Sequence, residues 1–295
     1  MVNSSFANQK ILKFIITLGD RTFNGGDNDQ VTFEGYRSIV EIDNGGGAQT
    51  ATLRAKIYGV SQSDMLSITT LQWLHNSTTY NTIDVFAVDG STQTLVFTGM
   101  IVNAWGDYAN VPDVFLNIQA NHTYEDALLP ATCRSYPGLI PVTQIMQDIA
   151  NAMGLNFESN GVTTLIRDEY LSGTNRLQAQ QLAHDAGLGL FFDLNTLAIT
   201  SSPTTPRLDY TPPLVSSQTG MIGYPTLDVF GVWFQTIFNP SIVFGKTVTL
   251  QTNVPQAAGR WFVTNIQHKL DCEKPGGQWM SLVRAYSTAS GGINS

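Results

Sequence analysis

The sequence predicts a mainly β chain, α+β in class, with two β units on either side of a small α+β unit. Three observations lead there. Apolar runs with strand-type patterning recur from Ile11 to Ala120 and again from Val229 to Tyr286. Turn residues punctuate the last quarter at Gly223-Tyr224-Pro225, Phe238-Asn239-Pro240, Gly245-Lys246, Gly259-Arg260-Trp261 and Pro275-Gly276-Gly277-Gln278-Trp279, as in successive hairpins. Between the two stretches, two apolar stripes follow helical spacing instead. The units so defined are residues 1–125, 126–215 and 216–295.

In the first unit, Ile11 to Leu18 reads as a strand and Phe23 to Gln30 as a Gly/Asp/Asn turn cluster. Val31 to Asp43, Gly47 to Tyr58, Ile83 to Val88, Thr94 to Trp105 and Val114 to Ala120 follow as strands. One helix interrupts them. Ser61 stands three residues before Asp64, as an N-cap with an acidic partner, and Met65, Ile68 and Leu71 or Gln72 recur at helical spacing. An antiparallel barrel is the simplest arrangement, because closure removes exposed sheet edges.

Pro130, Pro137-Gly138 and Pro141 are expected to break any regular element. Val142, Ile145, Met146, Ile149 and Met153 then form a helical stripe, with Pro141 at its first turn and Gly154 beyond its end. A second helix over Asn175 to Ala186 carries Ala179, Leu182, Ala183 and Ala186 and stops at Gly187. Strands at Leu188 to Asp193 and Leu197 to Thr200 complete this unit. Pro203, Pro206, Pro212 and Pro213 predict an ordered connector, since such density fits neither a helix nor a central strand. The closing strands are Val229 to Phe238, Thr247 to Thr252, Trp261 to Leu270 and Gln278 to Tyr286, with Asp271 to Gly277 as the last hairpin loop. No overt repeat relates the first and last units.

Charged residues make up 13% of the chain against a usual level of roughly 25%, and Thr, Ser, Asn and Gln take their place. Low charge suits a surface covered by partners, because charges are depleted from interface cores. The net charge of −8, with no Lys/Arg cluster, argues against specific nucleic-acid binding, which needs several converging cations. No apolar run reaches the ~18 residues of a spanning helix, so no membrane insertion is expected. Met1-Val2-Asn3-Ser4-Ser5 has no basic start of a secretory leader. Cys133 and Cys272 read as two reduced, buried thiols, consistent with synthesis in a cytoplasm.

Candidate chemistry is sparse. His184-Asp185 are helix neighbours about 100° apart, so they do not face each other. No serine lies in a G-x-S-x-G elbow. His268 alternates with Ile266 and Leu270 and reads as a core histidine. Asp168-Glu169 are neighbours on an expected loop, unlike glycosidase carboxyls facing across a cleft. Asp27-Asn28-Asp29 lacks the glycine and terminal glutamate of a calcium loop. Gly187-Leu188-Gly189 lacks a third glycine and follows a helix, so it is no phosphate loop. The sequons at Asn3, Asn76 and Asn121 read as chance matches. No catalytic residue, cofactor or metal is expected. The aromatic residues Trp233, Phe234, Phe238, Trp261 and Trp279 carry more information. They read either as a small barrel core or as a subunit interface, where Trp and Phe are enriched.

Leu53-Arg54-Ala55-Lys56-Ile57-Tyr58-Gly59-Val60-Ser61-Gln62-Ser63-Asp64-Met65, running on to Leu71, resembles the strand-Gly-helix step in the first tube-like barrel of baseplate hub proteins from contractile-tailed phages. Ile266-Gln267-His268-Lys269-Leu270 and Gly277-Gln278-Trp279 resemble the last hairpin of the hub's second barrel. Leu182-Ala183 leading to Gly187-Leu188 is similar to the insertion between the barrels. The resemblance implies two tube-type barrels per chain and a homotrimer that presents six barrels to a hexameric tail tube. It implies a central spike protein at the opposite end, baseplate wedge or tape-measure proteins around it, and DNA passing through the lumen. Such a hub is no enzyme and belongs to the tail baseplate of the virion, assembled in the host cytoplasm. The competing readings are a tail-tip cell-wall hydrolase, which needs two carboxylates across a groove, and a carbohydrate-binding β-protein, which needs exposed coplanar aromatics.

Overall fold

The computed structural model describes residues 10–23, 26–45, 50–70, 80–109, 111–208 and 211–287. The first unit contains β1 (Ile11–Thr17), β2 (Gln30–Glu34), β3 (Ser38–Asn44), β4 (Thr52–Tyr58), α1 (Gln62–Ile68), β5 (Thr82–Asp89), β6 (Thr92–Asp107) and β7 (Phe115–Asn121). Strict alternation buries Leu12, Phe14 and Ile16 of β1 and Leu53, Ala55 and Ile57 of β4 in one core. The expected run from Val31 to Asp43 is two strands, because the chain turns at Gly35 with φ +72°. Ser61 caps α1 as its spacing predicts: its Oγ accepts the Asp64 N–H at 3.1 Å and donates to Asp64 Oδ2 at 2.7 Å. The helix ends at Ile68, and the expected Leu71 or Gln72 lies outside the described residues.

The middle of the chain contains α2 (Glu125–Leu128), β8 (Arg134–Pro141), α3 (Val142–Ala152), β9 (Asn156–Asn160), β10 (Leu165–Leu171), α4 (Asn175–Asp185), β11 (Gly189–Asp193) and β12 (Thr196–Thr200). The two helices follow their apolar stripes. Val142, Ile145, Met146 and Ile149 pack with Ala179, Leu182 and Ala183 over Phe192, Leu197 and Ile199. Gly154 and Gly187, at φ +68° and +67°, turn the chain away after each helix.

The prolines near residue 137 do not abolish regular structure: β8 pairs antiparallel with β10. Pro137-Gly138 lies at a bulge opposite Asp168, where no regular ladder bond is required. Asp168 Oδ1 instead accepts the Gly138 N–H at 2.6 Å. Asp168-Glu169 thus sits within a bulged strand rather than on the expected loop.

The closing unit contains β13 (Leu214–Ser216), β14 (Met221–Leu227), β15 (Gly231–Ile237), β16 (Thr247–Gln251), β17 (Gly259–Cys272) and β18 (Trp279–Ser287). Gly223-Tyr224-Pro225 is not a break between elements but an irregular stretch of edge strand β14, which tolerates proline. Strand β17 spans 14 residues, on the order of 45 Å at strand rise. That length lets it serve two cores. Its start pairs with β16 and its end with β3, while its other edge follows β18. One 13-stranded sheet therefore runs β14-β15-β18-β17-β3-β4-β7-β6-β5-β1-β2, with β16 and then β13 branching from β17.

The closing hairpin contributes to both β cores. Leu270, Cys272 and Trp279, with Phe238, complete the core of the first unit. Phe262, Val263, Ile266, Val283 and Ala285 belong to the closing core, with Val232, Phe234 and Phe244. The three-stranded sheet β11-β12-β9 has two apolar faces: Phe192 and Leu197 face the helices, whereas Phe191 and Ala198 join the closing core.

Candidate functional site

The residues singled out for chemistry form no larger cluster. Contrary to the expectation from helix geometry, His184 and Asp185 do meet, with Nδ1 and Oδ1 3.1 Å apart, because both side chains lie on the exposed surface of α4 and can swing toward each other. His184 borders an apolar hollow of about 280 Å³, but the other lining residues, among them Ala183, Leu188, Leu190 and Pro203, include no acid and no hydroxyl nucleophile. His268 has Ser281 Oγ at 2.7 Å from its Nδ1 and the Phe238 ring edge-on at 5.2 Å. Burial pushes its pKa down to about 4, so the imidazole is neutral near pH 7.

Asn28 within Asp27-Asn28-Asp29 closes a turn by accepting the Gln30 N–H at 3.1 Å. Gly189 is a packing glycine, since a Cβ there would stand 2.3 Å from Thr200 Oγ1. Among the described residues no three His, Cys, Asp or Glu side chains gather as metal ligands. No described helix is long and apolar enough to cross a membrane. Asn121 ends β7, and Asn3 and Asn76 lie outside the described residues. Of the two thiols expected to be buried, Cys272 is buried but Cys133 is exposed, on the segment leading into the two-stranded sheet.

The five aromatic candidates divide. Phe234, Phe238 and Trp279 are buried within the chain, the first in the closing core and the other two in the first. Trp233 and Trp261 remain half-buried. Trp261 Nε1 donates to the Ala257 carbonyl at 2.9 Å. Trp233 belongs to a larger construction at the β14–β15 turn that sequence reasoning missed.

Asp228 organises that turn. Its Oδ1 accepts the Phe230 and Gly231 N–H groups at 2.7 and 2.8 Å, and its Oδ2 accepts Trp233 Nε1 at 2.6 Å. The Trp233 hydrogen bond above all holds its carboxyl below the ordinary carboxylate range. Arg284 donates from Nη2 to Asp228 Oδ2 at 3.3 Å. The Arg284 guanidinium carbon also lies 4.8, 5.4 and 5.5 Å from the ring centroids of Trp233, Phe230 and Tyr286. Gly231 is required by close approach, because a Cβ there would meet the Ala285 carbonyl oxygen at 2.2 Å.

The turn thus holds Val229 and Phe230 in water at 92% and 62% exposure, with Tyr224 at 72% on the neighbouring edge strand. Rigid, exposed apolar groups lose little conformational entropy when a partner covers them. The available signal was Asp-Val-Phe-Gly, an Asx-type turn with apolar residues at its tip. Beside it, a groove of about 740 Å³ opens between the sheet and Phe191, Pro203 and Thr204, lined also by Trp233, Asn265, Gln267, Arg284 and Tyr286.

This fold is similar to that of solved phage tail proteins and of a type VI secretion component. The 43 kDa tail protein of prophage MuSo2 from Shewanella oneidensis matches at 11% identity and TM-score 0.58, over 94% of this chain and 97% of that one. The tail protein from Neisseria meningitidis MC58 matches at 10% identity and TM-score 0.59, over 94% and 96%. The E. coli c3393 protein, a type VI secretion component with structural similarity to T4 tail proteins gp27 and gp5, matches at 8% identity and TM-score 0.58, over 85% and 73%. At such identities the likeness concerns the fold. No curated protein matches the chain significantly.

The particular family comes from the sequence: the chain belongs to the Baseplate hub gp41 family, which it matches over residues 69–274. That span takes in the later part of the first unit, the α+β unit and most of the closing unit. Most of the Leu53 to Leu71 step, and Gly277-Gln278-Trp279, fall outside it.

Proposed function

We propose that this chain is the non-enzymatic hub of a phage tail baseplate: a homotrimer that joins the hexameric tail tube to a trimeric central spike and templates tube growth. The observation that carries the reading is the baseplate hub family match on a chain with two β cores along one sheet. Two β cores per subunit would let three subunits meet a sixfold tube. In this reading 1–125 and 216–295 are the two tube-type units and 126–215 the insertion between them.

The β14–β15 turn, with Trp233 at its root, is the contact with neighbouring subunits. Wedge or tape-measure proteins would pack around the ring in the virion. DNA would pass through the lumen without specific binding, since a chain of net charge −8 gives its phosphates little to hold. Native mass measurement of the purified chain, alone and with the spike protein, tests the proposal. A trimer that takes up one spike trimer is expected. A stable monomer that joins neither spike nor tube would overturn it.

A further inference from the structure

The segment between β12 and β13 carries a buried arginine that the assembly reading does not use. Arg207 is only 4% exposed. Its guanidinium grips Glu158 of β9 with two bonds, Nε to Oε1 at 3.0 Å and Nη2 to Oε2 at 2.7 Å. Nη1 reaches Asp193 Oδ2 at the end of β11 at 2.7 Å, and the Phe244 carbonyl of the closing unit at 3.2 Å. The Arg207 N–H donates to the Gly245 carbonyl at 2.7 Å. One residue later, the Leu208 N–H donates to Asn160 Oδ1 at 2.8 Å. One short segment therefore ties two strands of the α+β unit to the loop before β16.

The surroundings are shaped for this side chain. Gly245 has φ +80°, and a Cβ there would stand 2.9 Å from both Arg207 Cδ and Phe191 Cδ1. Pairing with Arg207 holds the Glu158 carboxyl below its ordinary range, with Lys246 adding a smaller pull. The apolar part of the same junction is Phe191, at 5.5 Å from the Phe244 ring and 6.2 Å from Phe262, with Ala198 beside it.

Apolar contact is non-directional and tolerates rotation or sliding. A buried ion cluster adds little net stability over apolar packing, and its best-attested use is to select one register. Here a planar fork meets two carboxylates and a carbonyl at fixed angles, which only one orientation satisfies.

We propose that Arg207 is a docking latch that sets a single orientation of the α+β unit on the closing β unit. Phe191 and Ala198 supply adhesion, and the Arg207 cluster supplies the angle. A chain that assembles by shape needs that angle to be single-valued.

The test is amide hydrogen exchange and limited proteolysis on the full chain carrying R207M with E158Q and D193N. This variant removes the charges without stranding a carboxylate. R207K is the companion variant, keeping the charge but not the fork. The neutral triple variant is expected to keep wild-type protection in β4 and β7, reporting an intact first core. Exchange should rise at least tenfold at the backbone amides of position 207, Leu208 and Gly245, and residues 201–208 should be cut faster. R207K should fall between the two. Wild-type protection at those amides in the triple variant would overturn the latch, because the apolar contact would then suffice to orient the unit. Equal loss of protection in β4 and β7 would also overturn it, because the cluster would then hold up the whole fold.

Discussion

Arg284 and Asp228 meet at the root of the β14–β15 turn, with Nη2 3.3 Å from Oδ2 and the guanidinium carbon 4.8 Å from the Trp233 ring centroid. The pair spans two strands and fixes the turn from behind. Arg284 sits opposite Trp233 in the β15–β18 ladder, so the strand register itself delivers the cation to the carboxylate. The consequence is an apolar tip whose shape is set before any partner arrives.

Replacing the tip should separate assembly from folding. Val229→Asp with Phe230→Asp changes residues that are 92% and 62% exposed. The stability change should stay within about 1 kcal/mol, as for most surface substitutions. Self-association, read by light scattering on a sizing column, should be lost. An unchanged oligomer would remove the tip from the interface.

Asp228 makes the tip acid-sensitive. Its folded pKa is depressed, so its contribution is full above the ordinary carboxylate value and is lost as pH falls through the lower folded value. Emission from Trp233, whose Nε1 donates to this carboxylate, should shift in that acid window. Asp228→Asn should abolish the shift.

His268 acts at higher pH. Its pKa falls from an ordinary 6.5 to about 4, so the unfolded chain binds the extra proton between those values. The stability that His268 contributes is therefore full above about pH 6.5 and is lost as pH falls toward 4. Urea unfolding at pH 7.5 and 4.5 measures this. His268→Gln should flatten that part of the profile, and an unchanged slope would show that other groups cause it.

The shared sheet predicts a failed fragment. A fragment of residues 1–125 lacks Phe238, Leu270, Cys272 and Trp279 from its core and leaves one edge of β3 unpaired. It should not fold cooperatively by circular dichroism and thermal melting. A fully cooperative, soluble fragment would show that the closing hairpin is dispensable to the first core. In the intact chain, Phe238→Ala should cost roughly 3–5 kcal/mol, as expected for a large buried ring.

Gly231→Ala probes the close approach of β15 to β18. The new methyl would meet the Ala285 carbonyl oxygen at 2.2 Å, so either the ladder opens or the turn shifts. A loss of at least about 1 kcal/mol and faster exchange at the β15 amides are expected, as for overpacked sites. Wild-type behaviour would mean that the turn is softer than its hydrogen bonds suggest.

Legibility in the sequence followed how local each signal is. α3 and α4 were readable because their apolar stripes and terminal glycines lie within a dozen residues. β1, β4 and β5 were readable by alternation. β8, β10 and β14 were not, because their apolar residues do not alternate with polar ones, and β8 and β14 carry internal prolines as well. Their existence depends on a partner strand rather than on their own pattern. The aromatic cluster was legible as a cluster, but not in its division between core and surface. Asp228 and Arg284 were invisible as a pair, since 56 residues separate them.

By itself, then, the sequence determined the mainly β class, the two central helices, the Ser61 cap, and a low content of charged residues. These rest on local periodicity, capping and composition, which need no long-range information. Only the tertiary structure decided that β17 crosses from one core to the other and pairs with β3, more than 200 residues earlier, as the 222-residue separation of Asn265 and Asp43 shows. Only there did Phe238 and Trp279 pass to the first core and Phe234 to the closing one. The physical reason is that pairing of distant strands is set by which edges and apolar faces remain open once the local elements have formed, and no local pattern records that.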